Sequence, residues 1–176
     1  LFLSLALGGV ATDLATKHLI FAWRGWNQLN EVWWIVDQHF GVQTSTNPGA
    51  LFGMGAGFRL LFVALSIVAL LVIGYFVLLR PKVLDLWLTA ALGLVTGGIL
   101  GNLYDRLGLW HTADTPVDEL FGVRDWIHFR LDGVPLFSPW PNFNIADCCL
   151  VVGAILLALH SLKADLQAKR AATAKT

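Results

Sequence analysis

The chain has 176 residues, 56 per cent of them apolar and 14 per cent charged, with a formal net charge of zero. Soluble domains carry about 45–50 per cent apolar and about 25 per cent charged residues, so an ordinary soluble domain is excluded, and the missing basic excess excludes nucleic acid as a partner. The apolar residues lie in blocks, each close to the roughly 20 residues that a helix needs to cross a bilayer. A mostly α integral membrane protein is expected. It forms one membrane domain over residues 1–176, with a four-helix transmembrane bundle as its frame.

The first span runs from about Leu1 to Phe21. Leu1–Thr12 has the apolar character of a signal-peptide core, but no basic stretch or small-residue cleavage site accompanies it, and it reads as a retained span. Asp13 and Lys17 stand at i, i+4 on one face. They form a self-neutralising pair, a support for a polar site inside the bundle, or both. The loop over about 22–58 contains Trp23, Trp26, Trp33 and Trp34, residues that favour the membrane interface. Within it Phe40–Thr46 reads as a strand and Asn47-Pro48-Gly49 as a turn. Ala50-Leu51-Phe52-Gly53 follows, with small residues that allow close approach.

The second span, Leu60–Leu79, is uniformly apolar and should face lipid. Arg80-Pro81-Lys82 closes it in a short basic loop, a type that concentrates in the cytoplasm. The third span covers about 86–105. Gly93, Gly97 and Gly101 recur at four-residue spacing and make a groove for another helix. Asn102, Asp105 and Arg106 share a face at its far end. Asp105 and Arg106 read simply as an ion pair, but Asn102 lies a turn deeper, where an amide needs partners.

The second long loop covers about 106–144. Thr115-Pro116-Val117-Asp118-Glu119 combines an N-cap, a first-turn proline and first-turn acids, which predicts a short surface helix ending near Gly122. Asp125–Leu131 alternates as a strand. Asp132-Gly133 predicts a two-residue hairpin turn, with Val134–Phe137 as the return strand and Pro135 marking it as an edge. That register places Leu131 opposite Val134 and Asp125 opposite Trp140. It also puts Asp125 on the apolar face of Ile127, Phe129 and Leu131, expected to rest on the membrane. Together the strands would form a small extracytoplasmic β-rich cradle.

The fourth span, about 145–162, opens with Asn144 and Asp147 at i, i+3. Cys148 and Cys149 follow. Being adjacent, they suit neither a disulfide framework nor a CxxC site and read as small packing residues. A basic tail, from Lys163 to Lys175, is placed in the cytoplasm. Four spans put both long loops on the opposite side.

The polar residues thus converge on one surface, where the vocabulary is carboxylates and amides. The sequence has no HExxH, no GxSxG and no phosphate-binding loop. Two neighbouring carboxylates share a proton. The ionised one acts as base toward a water, and the protonated one polarises the carbonyl and then protonates the leaving amine, as in aspartic proteases. Asp125 and Asp147 are the candidate pair. Asp147, near a helix N-terminus, is assigned the ionised role, and Asp125 the proton.

These residues carry a resemblance. Asp13 with Lys17, Asn47-Pro48-Gly49-Ala50-Leu51-Phe52-Gly53, Gly101-Asn102-Leu103-Tyr104-Asp105-Arg106, Val123-Arg124-Asp125 and Phe143-Asn144-Ile145-Ala146-Asp147 resemble, in order, the motifs of the bacterial lipoprotein signal peptidases, or type II signal peptidases. The resemblance implies a multi-pass aspartyl endopeptidase of the bacterial inner membrane with its active site on the periplasmic side. It would remove the signal peptide of a prolipoprotein just before a diacylglyceryl-modified cysteine. Asp125 and Asp147 would be catalytic, supported by Asp13, Lys17, Asn47, Gly49, Asn102, Asp105, Arg106 and Asn144. No metal and no cofactor are implied. The implied partners are diacylglyceryl-modified prolipoprotein signal peptides and membrane lipids, with globomycin-type cyclic peptides as inhibitors and a monomeric enzyme. Two departures stand out. Leu51 replaces an alanine in the family's Asn-x-Gly-Ala-Ala-Phe motif, and the interval from Asp105 to Asp125 is longer, which makes the insert either a lid or a surface elaboration.

The alternative is a proton-coupled transporter or channel using the same carboxylates. Such proteins place ionisable groups near the midplane and often show inverted repeats, neither of which is visible here. The Gly-x-Gly-Asp signature of another class of intramembrane aspartyl protease is also absent.

Overall fold

A computed structural model describes residues 1–26, 31–49, 58–112, 115–117, 119–133, 138 and 140–173. Four long helices dominate: α1 (Phe2–Arg24), α2 (Arg59–Leu79), α3 (Leu86–Arg106) and α4 (Ile145–Thr173). Among the described residues α2, α3 and α4 are long and apolar enough to cross a membrane. α1 is as long but carries Asp13 and Lys17 in its middle, both fully buried.

α3 is the central helix, packed between α1 and α4. Its glycines make this possible. A Cβ added at Gly97 would stand 3.0 Å from the Ala6 carbonyl oxygen and 3.3 Å from the Gly9 Cα, so α1 passes with its backbone against α3. Gly98 admits Ala146 and Leu150 of α4 on the adjoining face. The groove expected from the glycine spacing is therefore filled by α1. α2 stands apart, packed mainly on α3 with only Ile73 buried, as its uniformly apolar sequence suggests.

Four antiparallel strands, in the order β1-β2-β3-β4, cover one end of the bundle: β1 (Trp33–Val36), β2 (Phe40–Asn47), β3 (Val123–Phe129) and β4 (Trp140–Phe143). β1 falls in the tryptophan-rich stretch that reads from sequence as interfacial loop. β2 and β3 were expected, but the register beyond β3 differs. Phe129 pairs with Trp140 and Ile127 with Phe143, whereas Asp125 lies opposite Ser45 of β2. Asp132-Gly133 is a turn, with Gly133 at φ 81°. The expected return strand, Val134–Phe137, lies outside the described residues. β4 runs directly into α4.

Two further expectations fail. The Ile127 face of β3 is not uniformly exposed to a membrane: Ile127 and Asp125 are covered by protein, with β3 packed on α1 and α3, while Leu131 stays exposed. The short surface helix is also absent among the described residues. Successive turns replace it, with Glu119 N–H donating to the Pro116 carbonyl and Gly122 N–H to that of Glu119, both at 3.0 Å. Thr115, read as an N-cap, instead accepts at its hydroxyl from the Thr112 N–H at 2.9 Å.

Candidate active site

Asn144 stands between β4 and α4 and caps the helix. Its side-chain oxygen accepts from the Asp147 N–H at 2.9 Å, while its own N–H donates to the Asp147 carboxylate at 3.1 Å. This reciprocal arrangement is a capping box written Asn-x-x-Asp. It uses Asp147 to satisfy the helix start and fixes its carboxylate at the positive end of the helix dipole. The Asn144 amide also donates to Asp125 at 2.6 Å. One side chain therefore holds both candidate acids.

Asn102 is the second bridge. Its amide donates to Asp147 at 2.8 Å, and its oxygen accepts from Lys17 Nζ at 3.0 Å and from the Asn144 amide at 3.2 Å. An ammonium can only donate. Lys17 therefore decides which way the Asn102 amide points and obliges it to donate to Asp147. Both oxygens of Asp147 thus act as acceptors, one toward Asn102 and one toward the Asn144 N–H.

Asp125 has a different environment. It is 3 per cent exposed. Burial and the neighbouring charge of Asp147 push its carboxyl well above the usual carboxylate range, against the opposing pull of Lys17 and of hydrogen bonds from Asn144 and Asn47. The two acids thus sit in different environments, Asp125 enclosed on β3 and Asp147 at the start of α4.

Behind them lies a buried ionic cluster. Lys17 Nζ is 2.8 Å from Asp13 and 3.1 Å from Asp105. Asp105 takes the Arg124 guanidinium through Nε at 3.2 Å and Nη2 at 2.8 Å, and accepts the Arg124 main-chain N–H at 2.9 Å. Asp13 also accepts from the Ala146 N–H of α4 at 2.9 Å. Two anions and two cations balance, which matters because each unpaired buried ion costs several kcal/mol. Arg106 is not the partner of Asp105. It donates to the Gly49 carbonyl at 3.1 Å and lies over the Phe62 ring. The Gly49 N–H is in turn bonded to the Asn47 side chain at 3.0 Å. The turn after β2 is thereby tied to α3. Ala50–Gly53, with the Leu51 departure, lies outside the described residues.

All ten residues singled out from sequence therefore sit in or directly behind one site. Two others were missed. Arg124 had no signal beyond standing next to Asp125. Trp110 had none: its ring faces the Arg124 guanidinium at 4.8 Å, its indole N–H donates to the Asp105 carbonyl at 3.2 Å, and Trp26 stacks behind it.

A cavity of about 660 Å³ opens beside the two acids. Asn47, Asn102, Arg106, Asp125 and Asp147 line its polar end. Ile99 of α3, Ser66 of α2 and Leu150, Val151 and Val152 of α4 form the rest, and β4 flanks the mouth. Among the described residues from Leu107 to Gly122, none lines it. Cys148 borders the cavity, whereas Cys149 packs toward Gly9 of α1.

Residues 5–163 match the family described as signal peptidase (SPase) II. The chain belongs to that family. Its members are proteases that remove signal peptides from prolipoproteins. A lipoprotein signal peptidase of Rhodopirellula baltica is 47 per cent identical over 161 residues, 92 per cent of this chain and 71 per cent of the relative. That of Symbiobacterium thermophilum is 36 per cent identical over 89 per cent of this chain and 90 per cent of its own length. Two solved structures share the fold. A bacterial membrane enzyme determined in meso at 2.3 Å superposes with a TM-score of 0.72 at 25 per cent identity, covering 92 per cent of this chain and 87 per cent of that one. Another, at 1.9 Å, gives 0.70 at 26 per cent identity, covering 92 per cent of each. The transporter reading finds no support among these relatives.

Proposed function

We propose that the protein is an aspartyl endopeptidase of the bacterial inner membrane that cuts prolipoproteins before a diacylglyceryl-modified cysteine, with Asp125 and Asp147 as its catalytic pair. The observation that carries this assignment is the shared grip of Asn144 on both acids at the mouth of an apolar cavity. α1 joins α2, α3 and α4 as a fourth span, its charged pair tolerated because Asp105 and Asn102 satisfy it. The short Arg80-Pro81-Lys82 loop and the basic end of α4 then lie in the cytoplasm, and the sheet and both acids on the periplasmic side.

The signal peptide, itself an apolar helix, enters laterally and lies along the aliphatic wall of α3 and α4. Its acyl chains take up the remaining apolar space, and the scissile bond reaches the polar mouth. Asp147, ionised, takes a proton from a water as that water attacks the scissile carbonyl. Asp125, protonated, donates a hydrogen bond to the developing oxyanion and keeps its proton, so that the pair now holds two. The leaving amine then takes a proton from the pair, which returns it to the singly protonated state. Globomycin-type cyclic peptides would compete for the same cavity.

The test is cleavage of a diacylglyceryl-modified lipopeptide in detergent by wild type, Asp125→Asn and Asp147→Asn. Each variant should lose about a hundred- to ten-thousand-fold in rate while still binding the substrate. Near-normal turnover by either would remove that residue from the pair. A folded wild type that never cleaves would overturn the assignment of the pair.

A further inference from the structure

We infer that Arg124, roofed by Trp110, is a positioning residue that holds the Asp125 carboxyl in register with Asp147. The inference rests on the catalytic pair proposed above. Arg124 directly precedes Asp125 on β3. Asp105 holds it at three points, two on the guanidinium and one on the main-chain N–H. Its carbonyl lies 3.4 Å from the Asn144 amide, the group that also donates to Asp125. The backbone leading into Asp125 is therefore pinned from the α3 side by a carboxylate and approached from the α4 side by an amide. Among the described residues the indole nitrogen of Trp126, which follows, is buried without a hydrogen-bond partner.

Trp110 completes the clamp. The guanidinium lies between the Asp105 carboxylate and the Trp110 ring, and is 3 per cent exposed. An aromatic face over a desolvated cation attracts it and excludes water. The indole N–H anchors the ring to the Asp105 carbonyl, so one residue holds the guanidinium and its acceptor together. Trp110 lies in the interval between Asp105 and Asp125, on the side of the cluster behind the acids.

Lysine cannot replace arginine here. It keeps the charge but loses the planar fork that meets the carboxylate at two points. With charge constant, any change reports geometry. The charged groups around the pair are Asp13 and Lys17 on α1, Asp105 and Arg106 on α3 and Arg124 on β3, and Arg124→Lys leaves their sum unaltered. Two carboxyls that share a proton titrate in two steps, and the gap between the steps reflects how strongly they interact. If Asp125 drifts from Asp147, the gap closes and the bell of activity against pH narrows, chiefly on its alkaline side.

The experiment measures kcat, KM and the pH profile of Arg124→Lys and Trp110→Leu in the full-length protein, per folded molecule, with melting temperature alongside. Arg124→Lys should lower kcat by about tenfold or more, because small misplacements at a reacting centre are costly. KM should stay within about twofold, and the alkaline limb should move down by about half a unit or more, since it tracks the coupling of the pair. Trp110→Leu should move both quantities the same way by less. A lower melting temperature with unchanged kcat and limb would make the clamp merely structural and overturn the inference. Should Arg124→Lys not fold, Trp110→Leu decides, and an unchanged profile there overturns it equally. If wild type itself does not cleave, the proposed pair fails rather than the clamp, and the proximity of Asp125 to Asp147 can then be read from their NMR titrations in both proteins.

Discussion

The two ends of α3 each carry an aspartate with a cation-forming side chain 2.8 Å away, yet they are built on opposite principles. At the start, Asp85 accepts from the Leu88 N–H and meets His160 of α4, with Asp85 55 per cent and His160 28 per cent exposed. At the finish, Asp105 meets Arg124 and Lys17 with no exposure at all. Asp85 serves its own helix as an N-cap. Asp105 does nothing for its helix and joins α1, α3 and β3 behind the acids. Equal distances therefore do not mean equal energies. An exposed pair is worth little because water screens it. A buried pair is a poor source of net stability, but it is dangerous to break, because the orphaned partner is left charged in a dry place.

The contrast is tested most severely at Asp105. Asp105→Ala strands Arg124 and leaves Lys17 with Asp13 and the Asn102 oxygen. It should destabilise the folded protein by roughly 3–5 kcal/mol, read from denaturant unfolding in a fixed detergent. Asp105→Asn keeps acceptor geometry on one side only and should fall between that value and wild type. If Asp105→Ala costs no more than a surface substitution, the cluster is hydrated and the distinction between the two ends collapses.

A smaller effect, of opposite sign, is expected at Asp125. Burial and Asp147 raise its carboxyl in the folded protein, so the folded state holds that proton more tightly than the unfolded chain does. This contribution is fully present below the ordinary aspartate value of about 3.9 and is lost as pH rises toward the folded-state value. The amide introduced by Asp125→Asn does not titrate and can still accept from Asn144. The variant should therefore melt above wild type at neutral pH, with the gap shrinking as pH falls toward about 4, a stability cost that the working site carries for its chemistry. A gap that stays constant with pH would mean that Asp125 is not the strained member of the pair.

How much of this was legible in the sequence follows the range of the forces involved. The apolar runs are local, so the four long helices could be read directly. The Asn-x-x-Asp spacing at 144–147 is also local, and the resemblance drew both residues into the site before the capping geometry was known. The register of β3 against β4 was misread because Asp132-Gly133 signals a tight two-residue turn, and nothing local says that Trp140 pairs with Phe129 rather than with Asp125. The partner of Asp105 was read as Arg106, its neighbour in sequence. Arg124 wins because the packing of β3 on the end of α3 brings it to the carboxylate from 19 residues away. Trp110 gave no sequence signal at all, since a ring facing a guanidinium has no sequence period.

The smallest expected effect belongs to Asp85, and it is the control that gives the others meaning. The Leu88 N–H and then His160 hold its carboxyl below the ordinary value. Any stability it contributes is therefore present above the unfolded-state value and lost as pH falls through the folded one. At neutral pH the pair with His160 is an ion pair only while His160 holds a proton, and water screens it in either case. Asp85→Asn keeps a side-chain oxygen for the Leu88 N–H, since asparagine caps as well as aspartate, so only the charge is removed. Melting temperature and cleavage rate should both match wild type at neutral pH. A loss approaching that of Asp105→Ala would mean that α3 and α4 are held together from this end, with His160 as the joint, and burial would no longer be what separates the two pairs.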